Sequence, residues 1–131
     1  MLAHWIWLAT RPGIGVRSAL TLLRAFPNIE ALFYASREDY ALTVGLEFKH
    51  LEALCEKSLA EANRILGDCT AKGMHVLTYQ DAAYPNRLKH IPDPPLTLYY
   101  QGALPDFDAE PAVAVVGTRR ASAYGCLTAR R

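Results

Sequence analysis

No run in this sequence is long and apolar enough to cross a membrane. The apolar opening Met1-Leu2-Ala3-His4-Trp5-Ile6-Trp7-Leu8-Ala9 has no basic n-region and soon meets Arg11 and Pro12, too short for a signal-peptide core. Cysteine is scarce: Cys55, Cys69 and Cys126 are odd in number and widely spaced, which excludes a disulfide framework and a C-x-x-C zinc site. His4, His50, His75 and His90 stand singly, away from metal-ligand spacing, and read as packing or surface residues. A reducing, cytoplasmic setting is expected, with no metal and no cofactor. Neither charge sign is in excess, since 14 Lys and Arg face 13 Asp and Glu for a net +1. Nucleic-acid binding therefore gets no support from global charge and must rest on local distribution. There is no low-complexity tract, nucleophile elbow or obvious acid/base pair, and the protein is not expected to be an enzyme.

What is present is a 131-residue chain that is 51% hydrophobic, enough for one average domain or two small ones. Charge is unevenly spread along it. Residues 81–111 hold two basic against five acidic residues, whereas 112–131 hold four arginines and no acid.

Residues 2–9 read as a helix, Pro12-Gly13-Ile14-Gly15 as a tight turn, and 17–26 as a second helix with Ala19, Leu20, Leu22, Leu23 and Phe26 on its apolar stripe. Pro27-Asn28 ends it, a short helix follows over 29–34, and Ser36 reads as the N-cap of another. Leu51, Leu54, Cys55, Ser58, Leu59, Ala62, Ile65 and Leu66 recur at three- and four-residue steps, predicting one amphipathic helix across 51–66. After Gly73, strands are expected at 74–78, 96–100 and 112–116, with a helical turn at 82–88. The small and β-branched run at 112–116 suits a strand covered on both faces, as in parallel sheets. A boundary near residue 70 then separates a helical module, 1–70, from the start of an α/β domain, 71–131.

Two constellations carry chemistry. The first is Leu8-x-x-x-Pro12-Gly13-Ile14-Gly15-x-x-x-Ala19-x-x-Leu22-Leu23, similar to a helix-hairpin-helix motif. Gly13 and Gly15 permit a sharp turn that brings backbone N–H groups toward a phosphate, with Arg17 beside them, a sequence-blind secondary contact to DNA. A hairpin kept for tight helix packing is the equal alternative. The second is the 112–116 strand running into Gly117-Thr118-Arg119-Arg120-Ala121-Ser122-Ala123-Tyr124-Gly125. It is neither the dinucleotide fingerprint nor a Walker A loop. Arginine grips phosphate bidentately, Thr118 and Ser122 can donate to its oxygens, and Tyr124 offers a stacking face. A solvated basic loop with Ser122 as a helix N-cap is the competing reading.

The order and spacing of Asp81-x-x-Tyr84-Pro85-x-x-Leu88, Ile91-x-Asp93-Pro94-Pro95-x-x-Leu98-Tyr99, Gly102 and Val113-x-Val115-Val116-Gly117-Thr118-Arg119-x-x-Ser122-x-Tyr124-Gly125, with the hairpin, resemble the DprA/Smf family of DNA-processing proteins. The resemblance implies a fold of class α + α/β. A helical module of sterile-alpha-motif-like, helix-hairpin-helix type comes first, followed by the first strands of an extended Rossmann fold. It also implies single-stranded-DNA binding in natural transformation, with protection of incoming DNA and loading of a RecA-type recombinase, and a homodimer in the full-length form. Gly117, Arg119, Ser122, Tyr124 and Gly125 match the family's phosphate-loop positions. Asp81, Tyr84, Pro85, Asp93, Pro94 and Pro95 have the look of architecture.

A Rossmann sheet needs several βα units of about 30 residues each. Only six residues follow Gly125, so the expected Rossmann part is incomplete, as in a fragment or truncated product. Two other readings stand beside the leading one: a Rossmann-type binder of a nucleotide or small phosphorylated ligand, and a remnant without function.

Overall fold

The computed structural model describes residues 1–109 and 111–130. Helix α1, Leu2–Thr10, is apolar on all sides and buries His4 to Leu8 in unbroken succession, which makes it the central helix of the core. A turn with Gly13 at φ +76° leads into α2, Val16–Ala25, whose Ala19 and Leu22 face α1 while Arg17 and Arg24 face outward. Helix α3, Ile29–Tyr34, starts at an Asn28 cap whose side chain accepts from the Ala31 amide at 2.7 Å. Helix α4, Arg37–Ala41, starts in a capping box: Ser36 Oγ accepts from the Asp39 N–H, and the Asp39 carboxylate accepts from the Ser36 N–H. The Ser36 backbone N–H, and after it the Ser36 hydroxyl, hold the Asp39 carboxyl below its ordinary pKa.

The single helix expected across 51–66 is instead two, α5, Phe48–Cys55, and α6, Ala60–Ala71. The reason is an exchange of hydrogen bonds. In an unbroken helix the Glu56 carbonyl would accept from the Ala60 N–H. Here it accepts from the Trp7 indole at 2.8 Å and from Arg11 Nη1 at 3.3 Å, while the Ala60 N–H turns to Ser58 Oγ. The break points Lys57 inward. Its ammonium lies 5.4, 5.5 and 4.6 Å from the ring centres of Trp7, Phe33 and Tyr40, and it donates to the Tyr40 hydroxyl. That hydroxyl donates in turn to the Leu32 carbonyl. Burial pulls the Lys57 pKa down to about 8 and pushes that of Tyr40 well up.

Strands β1, Met74–Thr78, and β2, Thr97–Gln101, form an antiparallel ribbon with Met74 opposite Gln101 and Thr78 opposite Thr97. The connection between them carries α7, Asn86–Lys89. Asp81 fixes its start by accepting from both the amide and the hydroxyl of Thr78, and Tyr84, fully buried, donates to the Pro95 carbonyl at 2.8 Å. Val76, Tyr79 and Leu96 pack into the same core as α1, so apolar contact is continuous across the junction near residue 70.

The architecture is thus helical with a two-stranded antiparallel sheet, an α+β arrangement. The third strand expected at 112–116 is not formed: the segment has no regular secondary structure and is exposed, with Val113 and Val116 each 88% accessible. A strand of that composition needs cover on both faces and a hydrogen-bonding neighbour, and among the described residues none lies beside it. The last helix, α8, spans Ala123–Ala129.

Candidate nucleic-acid interface

Every described residue of 111–130 except half-buried Gly125 is exposed. Among the described residues no hydrogen bond or ion pair ties this segment to the rest of the chain, so its order is local. Thr118 Oγ1 donates to the Arg120 carbonyl at 3.0 Å and closes a small turn around Arg119. Ser122 caps α8: its Oγ accepts from the Gly125 N–H at 3.1 Å, and its carbonyl accepts from the Cys126 N–H. A Cβ on Gly125 would lie 3.4 Å from that Oγ, an ordinary van der Waals contact. Gly117, by contrast, has open space around it and no positive φ, so nothing within the chain requires glycine there.

The structure therefore brings the loop residues together as one short turn and helix start. Thr118 and Ser122 are both engaged locally. Ser122 spends an acceptor site on the cap and keeps its O–H free to donate, whereas Thr118 spends its proton and keeps oxygen lone pairs. Arg119 and Arg120 form no ion pair among the described residues, and Tyr124 is 78% exposed. Two guanidiniums, one hydroxyl donor and an open aromatic ring on this turn and helix start can hold phosphate oxygens and stack a base.

The hairpin residues form a separate feature. Gly13 supplies the left-handed turn, and Gly15 stands at the N-cap of α2 with extended backbone angles and no side-chain cap. Arg17 is not free: its Nε lies 3.7 Å from Asp93 Oδ1, which ties the start of α2 to the proline-rich segment before β2. Both partners are exposed, which keeps the pair weak. Asp108 works differently. Its carboxylate accepts from the Asn86 and Arg87 amides at 2.8 and 3.1 Å, closing the 102–109 loop onto α7, and those two bonds hold its pKa low.

Sequence reasoning missed two side-chain clusters. One is the ring of Trp7, Phe33 and Tyr40 around Lys57, hidden because the helix pattern placed Ser58 and not Lys57 on the buried stripe. The other is a cavity between α2, α3 and the end of β1, where Trp5, Arg24, Tyr79 and Lys89 converge from four distant stretches of chain.

Residues 75–131 match the family model described as DNA recombination-mediator protein A. Among curated proteins, the chain is 27% identical to Protein Smf of Synechocystis over 98% of its own length and 33% of that protein's. It is 35% identical to Protein Smf of Borreliella burgdorferi over 74% of its own length and 29% of that protein's. It thus spans about a third of the curated relatives it matches. No solved structure matches it.

Proposed function

We infer, from matches that support a DprA/Smf-family protein, that this chain takes part in DNA processing during recombination as a sequence-independent binder of single-stranded DNA. The carrying observation is the pair Arg119 and Arg120, exposed and without an acidic partner among the described residues, beside Ser122 and Tyr124 inside the matched stretch. In this reading Gly117, Thr118, Arg119, Arg120, Ser122, Tyr124 and Gly125 hold the strand's backbone, and Gly13, Gly15 and Arg17 supply a secondary phosphate contact. Phosphate contacts position a strand without reading its bases, as protection of incoming DNA requires. Action in natural transformation, delivery of the strand to a RecA-type recombinase, homodimer formation and the absence of catalysis belong to the same proposal. So do a helical module of residues 1–70 and a Rossmann-type continuation of the sheet.

A groove of about 470 Å³ along β2, lined by Pro85, Leu88, Leu98, Tyr99 and Phe107 with Ala112 at its rim, supports that continuation. Together with the exposed valines after Ala112, it is the apolar surface a larger sheet would cover. The test is binding of a labelled oligothymidine by the wild-type chain and by Arg119→Ala/Arg120→Ala across a salt series. Loss of affinity with a shallower salt slope is expected; equal affinity and equal slope overturn the assignment.

A further inference from the structure

The cavity between α2, α3 and the β1 end has a volume of about 340 Å³, in the range of small-ligand sites. Its lining is divided. Leu20, Leu23, Ile29 and Trp5 form an apolar wall; Arg24 and Lys89 bring two cations, and Asn28 and Gln80 two amides. None of its lining residues is acidic. Arg24 makes no ion pair among the described residues, and Lys89 is held without a carboxylate, 5.5 Å from the Tyr79 ring centre and 5.7 Å from that of Tyr84. Asp81, the acid closest in sequence to Gln80, is turned to Thr78. The Asn28 carbonyl oxygen is spent on the Ala31 amide, which leaves its two N–H donors.

Two uncompensated cations at the edge of an apolar slot select a ligand with an anionic end and a flat, weakly polar body. We propose that this cavity binds a nucleotide, its phosphate between Arg24 and Lys89 and its base along the Trp5, Leu20 and Leu23 wall with the Asn28 and Gln80 amides at its edge. The site is separate from the 117–125 segment and does not depend on it. The same chemistry is presented by a free nucleotide and by one unit of a strand.

The test uses the full chain and follows Trp5 fluorescence or calorimetry with dAMP, deoxyadenosine, inorganic phosphate and a 5′-phosphorylated oligonucleotide. Saturable dAMP binding is expected, weakened about tenfold by Arg24→Gln and by Lys89→Met, which keeps the packing on the tyrosines while removing the charge. Deoxyadenosine and phosphate alone bind at least about tenfold more weakly than dAMP. Arg119→Ala leaves dAMP binding unchanged. If dAMP competes and the oligonucleotide does not, the ligand is a free nucleotide; if the oligonucleotide binds with the same Arg24 dependence, it is a unit of a strand. Three results overturn the proposal: no saturable dAMP or oligonucleotide binding, affinity in both cavity variants within about twofold of wild type, or an acidic peptide that outcompetes dAMP. Oligonucleotide binding lost with Arg119→Ala but intact in Arg24→Gln, with no Arg24-dependent dAMP binding beside it, would remove the cavity and leave the loop reading standing.

Discussion

Replacing Arg119 and Arg120 by alanine removes two guanidiniums that touch nothing acidic among the described residues and cover no core, so folding stability should change by less than about 0.5 kcal/mol. The Ser122–Gly125 cap that shapes the loop is untouched. Any change in DNA affinity then reports the interface and not the fold. An exposed charge contact is worth up to about 1 kcal/mol, so losing two weakens binding up to about 25-fold at low salt. The salt dependence is the sharper readout. Each phosphate contact to a single strand contributes about 0.7 to the slope of log K against log salt, so the double variant should lose about 1.4. Between roughly 50 and 200 mM salt the affinity ratio of wild type to variant should therefore shrink about sevenfold. Fluorescence anisotropy with labelled oligothymidine at four or five salt concentrations measures both quantities. Parallel slopes with lower variant affinity would mean the arginines act other than by neutralising phosphate; unchanged affinity and slope would place the interface elsewhere.

Lys57 titrates at about 8 in the folded chain against about 10.4 in the unfolded one. Between those values the unfolded chain binds the extra proton, so stability rises with pH across that window, and the penalty of the buried ammonium is felt in full below it. Urea denaturation of wild type and Lys57→Met from about pH 7.5 to 9.5 should show wild type gaining on the variant as pH rises. A pH-independent difference would mean that the three rings fully offset the desolvation. Gly13→Ala forces a Cβ into φ +76° although nothing crowds the site, so the cost should be the backbone term alone, about 1 kcal/mol in thermal or chemical unfolding. A neutral result would show that the hairpin relaxes to another turn. Asp93→Asn frees Arg17 and removes a nearby negative charge; if the hairpin meets phosphate, oligonucleotide affinity at low salt rises about twofold, and no change would take Gly13, Gly15 and Arg17 out of the interface.

Local signals carried the helical half well. The two glycines, Pro27-Asn28 and Ser36 are each explained within a few residues: the turn, the end of α2 and the N-cap of α4 stand where those residues predict them, and Asn28 and Asp39 add a cap and a capping box. The 74–78 strand falls where the change of pattern after Gly73 puts it. What failed was decided at long range. Periodicity alone favours one helix over 51–66, and the break is made favourable by the Trp7 indole and Arg11, 49 and 45 positions away from Glu56, with Ser58 taking the Ala60 N–H. The 112–116 run has the right composition for a buried strand, yet composition supplies no neighbour, and the segment stays irregular and exposed. In the same way Arg17 and Arg24 look alike on the outer face of α2, but one meets Asp93 and the other a cavity without an acid.

That contrast ranks the basic features of the chain. A phosphate that recruits Arg17 must compete with Asp93, which stays within a few ångströms and repels the anion even after the pair opens. At Arg119 and Arg120 no such competitor lies among the described residues: four arginines and no acidic side chain occupy 112–131. Near-neutral total charge is thus reached by spending acids where they cap turns and close loops, at Asp39, Asp81 and Asp108, and withholding them from the C-terminal segment. Basic charge without acid is concentrated at one end of a chain whose net charge conceals it, whereas the arginine beside the Gly13 turn is already paired.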